Sequence, residues 1–348
     1  MKISYKSFCI LLCLLIIILF LGYREFLYLY KSMLTEFIGY YKYQNIIIYY
    51  ETGNKEFMDK FPMNVRFLGL FLQYIVFKIF PCLTFPSIEI KNNVHELYEC
   101  ATFSLSLVNY VSKYIGLLLI MIYVYMKRKS FIEVSVASIL FLLLINLVES
   151  STLDRIAICY IIIILISLNN IKYSVPLLYF SFLVNEKVVL IFGTILFFQL
   201  FYYKNRIKIF EFIAISCSVI SYIVMIFVLY NYFNFEFYDY ASFENDEYLN
   251  VFKLLIANPL NPSYFTGAYA PLFISILPFF IFMISNKKFN YDFSILYFIP
   301  IILLLLIGYI SIENMGRYVM YMFPLWLPIL SSQIVYYLKL NRLDGKEK

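Results

Sequence analysis

Apolar stretches of helical length recur along most of this 348-residue chain and leave little choice of environment. They lie near 7–23, 67–88, 101–126, 131–149, 156–168, 173–185, 188–203, 210–233, 267–285, 293–312 and 318–338. Crossing a hydrocarbon layer of ~30 Å takes about 20 helical residues. Most of these stretches suffice, whereas 156–168 and 173–185 are short and need tilted neighbours or local thinning of the bilayer. Hydrophobic residues make up 63% of the chain and charged residues 14%. A soluble domain carries about 25% charged residues, so a soluble globular fold is excluded. The pattern predicts an all-α, polytopic membrane helix bundle forming a single integral membrane domain over 1–348.

The 35 Tyr and 37 Phe contrast with a single Trp. Rings with a wet end suit bilayer interfaces and sugar-facing grooves. An AT-rich coding bias produces the same excess of Phe, Tyr, Ile, Asn and Lys and carries more weight. The net charge of +6 is scattered, and its longest basic run is Lys127-Arg128-Lys129. Nucleic acid is therefore not an expected partner. The cysteines (Cys9, Cys13, Cys82, Cys100, Cys159, Cys217) form no C-x-x-C pair, which argues against a zinc ribbon or redox motif. Only Cys82 and Cys100 share an external segment; two free thiols are expected there, with a disulfide as the alternative.

Lys2 and Lys6 followed by apolar Phe8 to Leu21 look like a signal peptide. Gly22-Tyr23-Arg24 offers no small-x-small cleavage site, so an uncleaved first transmembrane helix is expected. From residue 101 onward the basic residues alternate. Lys127–Lys129, Lys172, Lys204/Arg206/Lys208, Lys287/Lys288 and Lys339/Arg342/Lys346/Lys348 fall on one side, cytoplasmic by the positive-inside rule. A cytoplasmic N-terminus then leaves one apolar stretch too many. The stretch 67–88 carries Gln73, Lys78, Pro81 and Pro86, and it reads as an interfacial or re-entrant helix that does not cross. About ten transmembrane helices remain, with both termini cytoplasmic in the inner membrane. Residues 24–100 form the first external loop and 234–266 the second.

This partition puts 17 of the 22 acidic residues outside. The short external turns each pair an acid with a base: Asp154-Arg155, Glu186-Lys187, and Glu313 with Arg317. Ionisable groups at the hydrocarbon boundary are costly, which makes them functional candidates. Neutralised helix-end ion pairs are an equally weighted alternative for any single turn.

The first loop reads Thr35-Glu36-Phe37-Ile38-Gly39-Tyr40, then Glu51-Thr52-Gly53-Asn54, then Phe61-Pro62 and Arg66. It resembles the first periplasmic loop of the C-superfamily glycosyltransferases, which include the aminoarabinose transferases and protein O-mannosyltransferases. In that loop an acid is followed by a tyrosine, a Thr-Gly and a proline leading into an interfacial helix. Glu36, Tyr40, Thr52-Gly53 and Pro62 match these positions. Leu107 to Lys129 looks like the family's second helix with its basic end. Asp154 resembles the acid closing its third helix, and Asn185-Glu186-Lys187 a Lys-containing turn before its sixth. Arg317-Tyr318 with Phe323-Pro324 looks like its late Arg-Tyr…Pro element. The acid here is a lone Glu36 where the family has Asp or Asp-Glu, and no soluble C-terminal domain follows.

The resemblance implies sugar transfer from a polyprenyl phosphate to an acceptor hydroxyl. That reaction needs a carboxylate to take the acceptor proton and cations to hold the departing phosphate. Glu36 is the candidate base, with Asp154 as a second catalytic acid and Glu25, Glu51 and Asp59 as rivals. Arg66, Lys187 and Arg317 are candidate phosphate ligands, with Tyr40, Arg155, Glu186 and Tyr318 as further substrate contacts. The expected partners are a polyprenyl-phosphate-linked sugar, a glycan or lipid acceptor and membrane lipid. No cofactor is expected. Glu244-Asn245-Asp246-Glu247 could hold a divalent cation, although an acidic loop tip is usually solvated. No P-loop, D-x-D or G-x-G-x-x-G supports nucleotide use. His95, the only histidine, reads as a loop residue. A repeat-unit (O-antigen) polymerase is the alternative enzyme. A lipid-linked saccharide transporter is the non-enzyme alternative, lowered by the lack of internal repeats.

Overall fold

The computed structural model describes residues 42–53, 66–80, 96–145, 153–168, 170–202, 204, 208–233 and 321–344. Among them the regular structure is helical and no strand occurs, in agreement with the all-α class. The helices are α1 (Lys42–Thr52), α2 (Phe67–Ile79), α3 (Glu96–Arg128), α4 (Phe131–Ile145) and α5 (Asp154–Ser167). They continue with α6 (Ile171–Tyr179), α7 (Glu186–Phe201), α8 (Ile209–Phe233) and α9 (Phe323–Asp344). The expected spans 7–23, 267–285 and 293–312 and the second loop 234–266 lie outside the described residues.

Within these, Tyr98–Arg128 and Ile209–Val228 are long and apolar enough to cross a membrane. α3 is the longer, at about 50 Å for its 33 residues. It starts five residues before the apolar stretch 101–126, because no Gly or Pro interrupts Glu96–Cys100. α8 leaves Phe210, Ile213, Ile220, Ile223, Val224 and Phe227 exposed, a surface suited to hydrocarbon rather than water.

α3 is the hub, packed by α1, α2, α4, α5 and α9. The tightest approach is at Gly116. A Cβ there would lie 2.7 Å from the Phe141 ring of α4 and 3.3 Å from Cys159 Sγ of α5, so only glycine lets both helices close. Gly193 on α7 has its nearest neighbour at 3.9 Å and makes a control. Gly116→Ala should destabilise by about 1–3 kcal/mol through overpacking. Gly193→Ala should be neutral or stabilising by up to ~1 kcal/mol through helix propensity. Unfolding midpoints of the two variants in detergent check this, and equal midpoints would refute the packing argument.

α9 closes the core from the other side, with Phe323 5.5 Å from Phe141 between ring centroids. At the far end of the bundle, Lys208 Nζ donates to Leu168 O (2.8 Å) and pairs with buried Glu211, whose Oε1 also accepts from Ser174 Oγ (2.7 Å). This clip satisfies a terminal carbonyl of α5 and fastens α6 and α8 to it.

α2 has 13 residues, about 20 Å, too short to cross a ~30 Å hydrocarbon layer. Its two polar residues take different routes. Gln73 is fully buried and donates Nε2 to Ala101 O (3.2 Å), while half-exposed Lys78 pairs with Glu51 of α1. Gly69 lets α2 seat against the start of α5, since a Cβ would fall 2.8 Å from Leu153 Cδ1.

Two expectations need correction. The stretch 173–185 is not one helix. Pro176, within α6, has no N–H for the Lys172 carbonyl, and the chain tightens into a 3-10 turn over Phe180–Leu183 before α7. Cys100 is not a free thiol but disulfide-bonded. Its other half lies outside the described residues, because Cys159 and Cys217 are both free.

Candidate functional site

Three helices begin at one place, and their first residues carry opposite charges. α5 opens on Asp154 and α7 on Glu186, the positions where a helix's positive end favours an acid. Asn185 caps α7, its side-chain oxygen accepting the Lys187 N–H at 3.0 Å. The residue before α2 is Arg66, which comes from the first loop.

Arg66 joins the other two helices. Its Nη1 donates to Asp154 Oδ1 (3.2 Å) and its Nη2 to Glu186 Oε1 (3.1 Å). The same Glu186 oxygen accepts from Lys187 Nζ at 3.2 Å. Arg66, Asp154, Arg155 and Lys187 are all buried, whereas the Glu186 side chain is 32% exposed. Glu186 Oε2 has no hydrogen-bond partner among the described residues. The turn leading into α9 supplies the floor: fully buried Tyr321 accepts from Asn185 Nδ2 (3.2 Å), and its ring lies 5.1 Å from Lys187 Nζ.

Desolvation of this many charges is expensive, and a buried ion pair rarely repays it in stability. Such a cluster at the mouth of a helix bundle therefore reads as functional. Burial alone would raise the Glu186 pKa, but the Lys187 ammonium and the Arg66 guanidinium override it and hold the carboxyl at about 2. So weak a base cannot take a proton from a hydroxyl at neutral pH. Asp154 is fully buried and paired with Arg66 Nη1 at 3.2 Å. Arg66 and Lys187 thus bring two cations to the positive ends of three helices, where they pair with Asp154 and Glu186.

No protein-family model, curated protein or solved structure matches the chain.

The expected site residues divide by position. Arg66, Asp154, Glu186 and Lys187 meet directly, and Arg155 is buried beside Asp154 in sequence. Glu36, Tyr40, Arg317 and Tyr318 lie outside the described residues, as does the acidic stretch 244–247. Among the described residues no cluster of His, Cys, Asp or Glu is arranged to hold a metal ion. Asp154 is the first residue of α5. It forms an ion pair with Arg66 of the first loop.

One group was missed. Thr102, Ser106, Asn109 and Lys113 of α3 are all buried, and Thr102 accepts from Gln44 of α1 at 3.5 Å. Their spacing of four, three and four residues places them on one helical stripe. The signal was readable in the sequence as a polar 3.6-residue period inside an apolar span.

Proposed function

We propose that the chain is an integral membrane glycosyltransferase that moves a sugar from a polyprenyl phosphate to an acceptor hydroxyl at the outer face of the inner membrane. The observation that carries this reading is the buried Arg66–Asp154–Glu186–Lys187 cluster, which unites the first loop with two turns that charge parity assigns to the same side. The topology belongs to the proposal: about ten transmembrane helices, both termini cytoplasmic, 24–100 and 234–266 external, and α2 at the interface. Two features support it. The N-terminal end of α3 carries disulfide-bonded Cys100, as suits an oxidising compartment, and its opposite end carries Lys127 and Arg128.

In the proposed reaction the acceptor oxygen forms a bond to the anomeric carbon and the anomeric carbon–phosphate oxygen bond breaks. The acceptor proton goes to Glu36, and the electron pair of the broken bond goes to the phosphate, whose charge grows. Arg66 and Lys187 stabilise that growing charge. Asp154, held on Arg66 Nη1, is a positioning residue that aims the other guanidinium nitrogen. Arg317, four residues before Tyr321 in the sequence, is proposed as a further phosphate ligand, and Tyr318 as a substrate contact.

The test is turnover of a labelled polyprenyl-phosphate sugar by the protein reconstituted in vesicles. Release of polyprenyl phosphate with sugar transfer is the expected result, and Lys187→Met should lower it by a factor of roughly 10²–10³. Turnover only of a diphosphate-linked oligosaccharide would favour the repeat-unit polymerase. Saccharide translocation without transfer would favour the transporter.

A further inference from the structure

We propose that the Glu186 carboxylate is a displaceable stand-in for the anionic group of the ligand. It holds Arg66 and Lys187 together until a phosphate enters and takes its place. The inference rests on the reading of this cluster as a phosphate site and adds how the site is kept assembled and how it is opened.

The geometry singles out one atom. Glu186 Oε1 receives Arg66 Nη2 at 3.1 Å and Lys187 Nζ at 3.2 Å, so two cations from different elements converge on a single oxygen. An anionic phosphate oxygen at that point would meet the same two donors and bring more negative charge to them. Without an anion there, the two cations would repel each other in a region of low dielectric. Glu186 prevents this, and because it stays ionised down to pH about 2 it does so at every physiological pH.

The two acids of the cluster are not equivalent. Asp154 is fully buried and accepts from Arg66 Nη1 at 3.2 Å, so it can keep the guanidinium aimed during an exchange. Glu186 is 32% exposed and leaves Oε2 without a hydrogen bond among the described residues. It is the first residue of α7, where its side chain can swing towards solvent without breaking an intrahelical bond. Asn185 meanwhile keeps the Lys187 backbone in place through its cap. The carboxylate with least to lose is therefore the one on the shared oxygen.

This reverses the ordinary expectation for a polar residue in a binding site. Removing the Glu186 charge should strengthen binding, because the ligand no longer competes with it. Wild-type protein and Glu186→Gln, each in nanodiscs at fixed salt, are titrated with a short-chain polyprenyl phosphate and, separately, with inorganic phosphate. The expected result is polyprenyl phosphate binding roughly three- to tenfold tighter in Glu186→Gln. The same gain with inorganic phosphate would support the stand-in role with the headgroup alone as ligand. Equal or weaker binding by a folded Glu186→Gln overturns the proposal and leaves the phosphate reading intact. Failure of the wild type to bind either probe overturns both.

A wild-type readout covers the case in which Glu186→Gln does not fold. A carboxyl released from its two cations regains ordinary proton affinity and becomes reactive to carbodiimide. Saturating polyprenyl phosphate should increase carbodiimide labelling of Glu186 and leave Asp154 unchanged, as read by peptide mass spectrometry. Unchanged or reduced labelling of Glu186 overturns the proposal.

Discussion

Arg66→Ala should destabilise the folded protein by roughly 3–5 kcal/mol, the usual consequence of removing one partner from a buried ionic group. The guanidinium bridges two carboxylates contributed by helices 88 and 120 residues away in sequence. Its loss leaves Asp154 fully buried without that counter-charge and also releases α2 from the bundle at its first turn. Arg66→Lys keeps the charge but offers a point cation in place of a planar fork, and one ammonium cannot serve Oδ1 of Asp154 and Oε1 of Glu186 in the same geometry. That variant should fall between wild type and alanine. Asp154→Asn in the Arg66→Ala background should recover part of the loss, because the two residues belong to one network and their effects do not add. Denaturation midpoints in detergent for the four proteins test this. A wild-type midpoint in Arg66→Ala would mean that the cluster does not hold the helices together.

The sequence revealed the helices through hydropathy and revealed the site only in pieces. The period and length of the apolar stretches mark α3, α4, α7 and α8, because burial in a bundle or in lipid rewards apolar residues wherever they fall on the helix. Gln73 and Lys78 set 67–88 apart from its neighbours in the sequence, and the helix α2 described within it is 13 residues long. Pro176 stands within 173–185, and the 3-10 turn that follows is also fastened by Ser181 to Ser218 at 3.1 Å, a contact that hydropathy does not encode. Charge partners were the hardest to read. Adjacent opposite charges suggested Asp154 with Arg155 and Glu186 with Lys187, and the second pair is present at 3.2 Å. Asp154 also draws a partner from a different loop, Arg66, because neutralising a buried carboxylate depends on who is near in space. The buried stripe Thr102, Ser106, Asn109 and Lys113 was legible by period alone, but in an otherwise apolar span its polarity was outweighed by the surrounding Leu, Val and Ile.

The largest effect on turnover is expected at Glu36. In the described cluster Glu186, held at about pKa 2, is too weak a base to take the acceptor proton, and Asp154 is paired with Arg66. Transfer to a hydroxyl still requires somewhere for the acceptor proton to go. Glu36 is the acid of the first loop that matches the family likeness, and the same loop delivers Arg66 to the site 30 residues later. A positioned general base typically contributes a rate factor of ~10²–10⁴. Glu36→Gln should therefore lower transfer by about that factor while leaving expression and the denaturation midpoint unchanged, the reverse of Arg66→Ala. Glu51→Gln should be mild by comparison, because Glu51 is exposed and engaged with Lys78 at the surface. Asp59→Asn should be mild as well. The measurement is glycan transfer by each variant at matched protein levels, with binding of polyprenyl phosphate as a second readout. Intact binding and lost transfer in Glu36→Gln would separate proton removal from phosphate capture. Wild-type transfer would remove Glu36 from the mechanism and return the base role to Glu25 or to water.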